Sequence, residues 1–99
     1  MYSITSLNKL AQVGELVPET MNAFKAWDKL ALADGAIPKK YKELMAIAVA
    51  LSTQCPYCIE VHRQQAVDAG VTEKELAETI QVAAALRAGG AITHGTHLL

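Results

Sequence analysis

Apolar residues fall at helical spacing along this chain, and no stretch reads as a strand. Turn residues divide the pattern into helical pieces. Ser6 to about Val13 predicts a short first helix ahead of Gly14. Pro18, with Glu19 in the first turn, opens a second that reaches about Ala33 and stops at Asp34-Gly35. Phe24, Trp27, Leu30 and Ala31 mark one face of it, with Trp27 as a core or interface anchor. Pro38 opens a third helix running to about Ser52. Its start is polar, with Lys39, Lys40, Lys42 and Glu43, and the three lysines read as a solvated face. From Leu44 to Leu51 it is apolar on every side, which predicts a central, wholly buried helix.

Cys55-Pro-Tyr-Cys58 begins a fourth helix that continues to about Ala69, with Gly70 as its stop. Cys55, Cys58, His62, Ala66 and Ala69 share one stripe of it. Thr72-Glu-Lys-Glu75 is a capping box, so it predicts a fifth helix. Leu76, Ile80, Ala83, Ala84 and Arg87 follow at helical spacing, and Gly89-Gly90 mark its expected end. Ala91 to Leu99 then form a short helix or a tail. The expectation is an all-α single domain over residues 1–99, a compact bundle of five to six helices joined by short connections.

Composition adds an oligomer to that picture. The chain is 52% hydrophobic yet only 5% aromatic, and alanine and leucine supply much of the apolar content. A domain of 99 residues buries a modest share of its own surface, so part of this content is expected between subunits. A net charge of -1 offers no electrostatic footprint for nucleic acid. No basic region precedes an apolar run at Met1-Tyr-Ser-Ile-Thr-Ser, so no secretory signal is expected. The apolar run Leu44 to Leu51 is far shorter than the roughly 20 residues that span a bilayer. A cytoplasmic location is the default reading, and a disulfide there is more often catalytic or redox-sensing than structural.

The candidate chemistry centres on Cys55 and Cys58, the only two cysteines. Pro56 between them favours a first helical turn, which places the thiols at the positive end of the helix dipole. That setting favours thiolate at neutral pH. His62 lies one turn beyond Cys58, where an imidazole can accept the thiol proton or stabilise the thiolate. Glu43 reads alone as a solvated first-turn residue, and becomes functional as a carboxylate partner of His62. Tyr57 either packs or donates a hydrogen bond near the sulfurs. Glu60 and Arg63 face solvent. Cys55, Cys58, His94 and His97 supply the donors of a Cys2His2 zinc set. A whole helix lies between the two pairs, and the histidine spacing is tight, so no metal is expected. His94 and His97 read as solvated tail residues.

The pattern of Glu43, eleven residues, Cys55-Pro-Tyr-Cys58, three residues and His62 resembles the AhpD-like alkylhydroperoxidase branch of the carboxymuconolactone decarboxylase superfamily. The flanks are similar too, in Pro38 to Ser52 and in His62 to Gly70. The resemblance covers roughly residues 15 to 90 and departs from the best-studied branch at Tyr57, where that branch has a histidine. It implies an all-α fold assembled as trimers or hexamers. It implies thiol-dependent reduction of hydrogen peroxide or organic hydroperoxides, without a bound cofactor, at the expense of an external dithiol reductase or carrier protein. By position, Cys58 would attack the peroxide, Cys55 would resolve, and His62 with Glu43 would relay the proton. Helix-dipole reasoning alone favours Cys55 as the activated thiol; only Cys58 has His62 one turn away. Two other readings stand beside this one: a lyase acting on a small lactone acid, and a redox-sensing structural oligomer without catalysis.

Overall fold

The computed structural model describes residues 3–99. Among these there are five α-helices, two short 3₁₀ turns (Ile4–Lys9 and Thr96–Leu98) and no strand. The helices are α1 (Leu10–Leu16), α2 (Pro18–Ala31), α3 (Lys39–Thr53), α4 (Pro56–Asp68) and α5 (Glu73–Gly95). The all-α expectation holds, and the starts of α2 to α5 fall within a residue of the sequence signals.

Local chemistry explains those starts. Pro18 and Pro56 each occupy the first turn of their helix. Pro38 precedes α3, and the Asp34 carboxylate accepts from the Lys39 backbone N–H at 2.6 Å, capping a helix that its own N-cap residue leaves uncapped. At α5 both arms of the capping box form: Glu75 N–H donates to Thr72 Oγ1 at 3.1 Å, and Thr72 N–H donates to Glu75 Oε1 at 2.9 Å. Gly70, at φ 88°, closes α4 in the left-handed conformation glycine takes without a Cβ penalty.

Two of the glycine signals expected to end helices do not do so. Gly14 does not stop the first helix, because α1 runs through it to Leu16. A Cβ at Gly14 would lie 3.3 Å from Met21 Cγ, so glycine there admits α2 rather than ending α1. The stop comes from Pro18, which forces Val17 out of helical geometry (φ -134°, ψ 68°). Gly89-Gly90 likewise do not end α5, which continues to Gly95. Neither adopts positive φ, and a glycine terminates a helix through that conformation.

The packing is uneven. α3 is the central helix, packed against both α4 and α5, and Ile47, Ala66 and Val71 form the buried cluster with Leu44, Leu51 and Leu76 against it. It is not wholly buried, however: Met45 and Val49 on its outer face are 52% and 61% exposed. α2 has α1 as its only helical partner among the described residues, and its Phe24, Trp27 and Leu30 stand in solvent, with Trp27 72% exposed. Trp27 is therefore no core anchor of the single chain. The accessible surface is 7666 Å², against about 5,500 Å² for a folded monomer of this mass. The radius of gyration of 16.2 Å likewise exceeds the roughly 13 Å typical of this length.

Candidate active site

The connection from α3 to α4 is only two residues long, Gln54 and Cys55. Gln54 takes the left-handed conformation (φ 57°), the only described residue other than glycine to do so. That costs a side-chain-bearing residue roughly 1–2 kcal/mol. It reverses the chain sharply enough for Cys55 N–H to donate to Ala50 O at 3.0 Å. Cys55 then becomes the N-cap of α4, extended at φ -98° and ψ 98°.

The two sulfurs have different surroundings. Cys55 Sγ accepts from the Cys58 backbone N–H at 3.3 Å, so the open end of α4 serves Cys55. Cys58 instead lines a pocket of about 270 Å³ together with Ala46, Val49, Ala50, Thr53 and His62. The cysteines are joined as a disulfide, with Cα atoms 5.4 Å apart.

Glu43 is wholly buried, at 0% exposure, and is the only charged side chain among the buried residues described. Its Oε2 meets His62 Nδ1 at 2.8 Å, and its Oε1 accepts from Lys39 Nζ at 3.1 Å. An isolated buried carboxylate is expensive, so these two partners are what make the position tenable. With Nδ1 occupied by Glu43, Nε2 is the His62 nitrogen left for chemistry. The sequence pairing of Glu43 with His62 is thus met by a direct contact between α3 and α4.

Lys39 was missed. Sequence reading put it with Lys40 and Lys42 on a solvated face, yet each of the three has a partner. Lys39 binds Glu43, Lys40 Nζ binds Glu75 Oε1 at 3.1 Å, and Lys42 Nζ donates to Ala33 O at 2.8 Å. The spacing of Lys39 and Glu43, four residues apart, was the available signal. The hydrogen bonds that the Glu75 carboxyl accepts, from the Thr72 backbone first and then from Lys40, hold it below the usual carboxylate range.

Tyr57 is half-buried, and its Oη accepts from Ser3 N–H at 3.1 Å, tying the first 3₁₀ turn to α4. Glu60 and Arg63 are exposed, as read. His94 and His97 pack ring edge to face, with centroids 5.1 Å apart. Among the described residues, no group of three or more His, Cys, Asp or Glu side chains could hold a metal ion, so the Cys2His2 set is not assembled. No helix described is long and apolar enough to cross a membrane.

Residues 18–99 match the carboxymuconolactone decarboxylase family. The chain belongs to that family. A crystal structure of a carboxymuconolactone decarboxylase family protein from Legionella pneumophila superimposes with a TM-score of 0.81 at 37% identity, covering 94% of this chain and 85% of that one. A protein from Methanobacterium thermoautotrophicum gives a TM-score of 0.80 at 33% identity, covering 86% and 96%. Among curated sequences, "uncharacterized protein 4 in cox locus" of Paracoccus denitrificans is 47% identical over 79% of this chain and 70% of its own length. An uncharacterized protein of Cupriavidus necator is 34% identical over 80% and 71%. Within the carboxymuconolactone decarboxylase family match lie both helices that carry Glu43, the cysteine pair and His62.

Proposed function

We propose that this protein is a thiol-dependent peroxidase of the AhpD-like kind, using the Cys55/Cys58 couple on hydrogen peroxide or organic hydroperoxides. One observation carries the reading: Cys58 shares a pocket with His62, whose Nδ1 is bound to the buried Glu43 carboxylate. His62 Nε2 takes the Cys58 thiol proton. The thiolate attacks the nearer peroxide oxygen, the O–O bond breaks, and Cys58 becomes a sulfenic acid. The departing alkoxide or hydroxide takes the proton back from His62 and leaves as alcohol or water. Cys55 then attacks the sulfenic sulfur, giving the disulfide and a water molecule. An external dithiol restores both thiols by exchange. Cys58 is the attacking residue because it shares the pocket of the imidazole, whereas Cys55 holds the helix-terminal N–H. We further propose a homo-oligomer that covers the outer faces of α2, α3 and α5, supported by the surplus exposed surface.

Thiol counting by mass spectrometry tests the reading. One equivalent of an organic hydroperoxide should consume both thiols of the reduced protein within seconds, and Cys58→Ser should abolish the reaction. Two thiols that survive long exposure would remove it. In that case a lyase indifferent to replacement of both cysteines would be the reading to pursue.

A further inference from the structure

Lys39 is tethered more closely than a surface lysine. Its backbone N–H is capped by Asp34, and its ammonium donates to Glu43 Oε1 at 3.1 Å and to Leu32 O at 3.5 Å. The side chain is nevertheless 44% exposed, and it lines a second pocket of about 460 Å³ with Asp28, Lys29, Gln65 and Asp68 among its walls. The Glu43 carboxylate therefore stands between two openings, with Lys39 at one and His62 at the other.

Charge accounting gives this arrangement a purpose. Glu43 has no access to water, so its negative charge needs a counter-charge within the protein. If His62 were the only partner, it would have to remain protonated to balance the carboxylate. A histidine held protonated cannot accept a proton from a thiol. Lys39 carries a permanent positive charge at neutral pH and can balance Glu43 in its place. We propose that Lys39 is a positioning residue, the standing counter-ion of Glu43, which leaves His62 neutral and able to cycle its proton. The proposal rests on the reading of His62 as the proton acceptor of Cys58.

The other charged groups nearby are accounted for. Asp28 and Lys29 of α2 and Asp68 of α4 face Lys39 across its pocket. On α5, Glu75 is bound to Lys40, and Arg87 donates to Ser52 O at the far end of α3.

The test is a ring-resonance NMR titration of the reduced protein in wild type, Lys39→Met and Lys39→Arg. His94 and His97 serve as internal references. In Lys39→Met the His62 ring should gain about tenfold or more in proton affinity, so that it titrates at higher pH. Lys39→Arg should restore the wild-type curve, and the two reference rings should not move. The acidic limb of peroxide-driven disulfide formation should move to higher pH with His62. If Lys39→Met does not fold, Lys39→Gln removes the charge while keeping a polar side chain at the position. An unmoved His62 titration, or one that moves to lower pH, overturns the proposal even in an active peroxidase. A displaced titration in a protein that ignores peroxide would uphold the role of Lys39 and remove the peroxidase reading alone.

Discussion

The junction of α3 with α4 and the outer faces of α2 and α5 follow opposite rules. At the junction, polar groups out of water are matched within the chain: Glu43 by Lys39 and His62, Cys55 Sγ by the Cys58 N–H, and the Cys55 N–H by Ala50 O. On α2 and α5, large apolar side chains face solvent, including Trp27, Leu30, Leu86 and Ile92, each more than two-thirds exposed. The first region is finished by its own sequence. The second leaves its apolar side chains uncovered within the single chain. In the proposed homo-oligomer the difference would separate two kinds of stability, one local to the chain and one that depends on concentration.

Four substitutions put that contrast to the test. The largest effect is expected at Glu43. Glu43→Gln should keep the helices, cost about 1 kcal/mol in urea unfolding and slow peroxide-driven thiol loss about a hundredfold. Equal rates in rapid-mixing experiments would show that the junction is structural only. Next comes Trp27→Ser. It should leave the unfolding of the dilute single chain within about 0.5 kcal/mol of wild type, since the side chain meets solvent there. It should weaken self-association by about 2 kcal/mol, visible as a lower mass in light scattering at matched concentration. An unaltered mass would detach α2 from any subunit contact.

Gly89→Ala is smaller and its sign is informative. A Cβ there meets nothing within 4 Å, so the isolated chain should gain up to about 1 kcal/mol of helix stability. A loss of assembly instead, read by the same scattering measurement, would place a second backbone close to α5. The smallest effect concerns acid. The carboxyl of Glu75, half-buried, is held below its ordinary value of 4.5 by the hydrogen bonds from the Thr72 backbone and Lys40. A depressed folded-state value means that its stabilisation is present above the unfolded value and is lost as pH falls through the folded one. Melting profiles of wild type and Glu75→Gln should therefore converge as pH falls from neutral through the acidic range below 4.5. Curves that stay parallel would mean that neither the Thr72 backbone nor Lys40 favours the charged carboxylate there.

Much of the site was legible because its signals are local. Proline, capping-box and cysteine spacings are one-turn relations, and they placed α2 to α5 and the register of Cys58 with His62. The pairing of Glu43 with His62 spans 19 residues, yet it could be expected from the chemistry of a carboxylate facing an imidazole and from the family resemblance. What failed was also systematic. Gly14 and Gly89-Gly90 were read as stops because sequence cannot tell a left-handed glycine from one that makes room or simply continues a helix. Met45 and Val49 were read as buried because hydropathy reports that a face wants cover, not which chain supplies it. Lys39 was lost among its neighbours because a lysine's long stem can reach a buried carboxylate while still touching water.

The two-residue link at Gln54 and Cys55 has one more consequence. Each residue of an α-helix turns it by about 100°. One residue gained or lost between α3 and α4 would swing the imidazole of His62 off the Glu43 carboxylate and carry Cys58 away from the pocket wall. The link thus acts as a phase lock. The spacing from Glu43 to Cys55 is as much a part of the site as the side chains themselves, and a chain that kept every one of those side chains but altered that count would keep the ingredients and lose their arrangement.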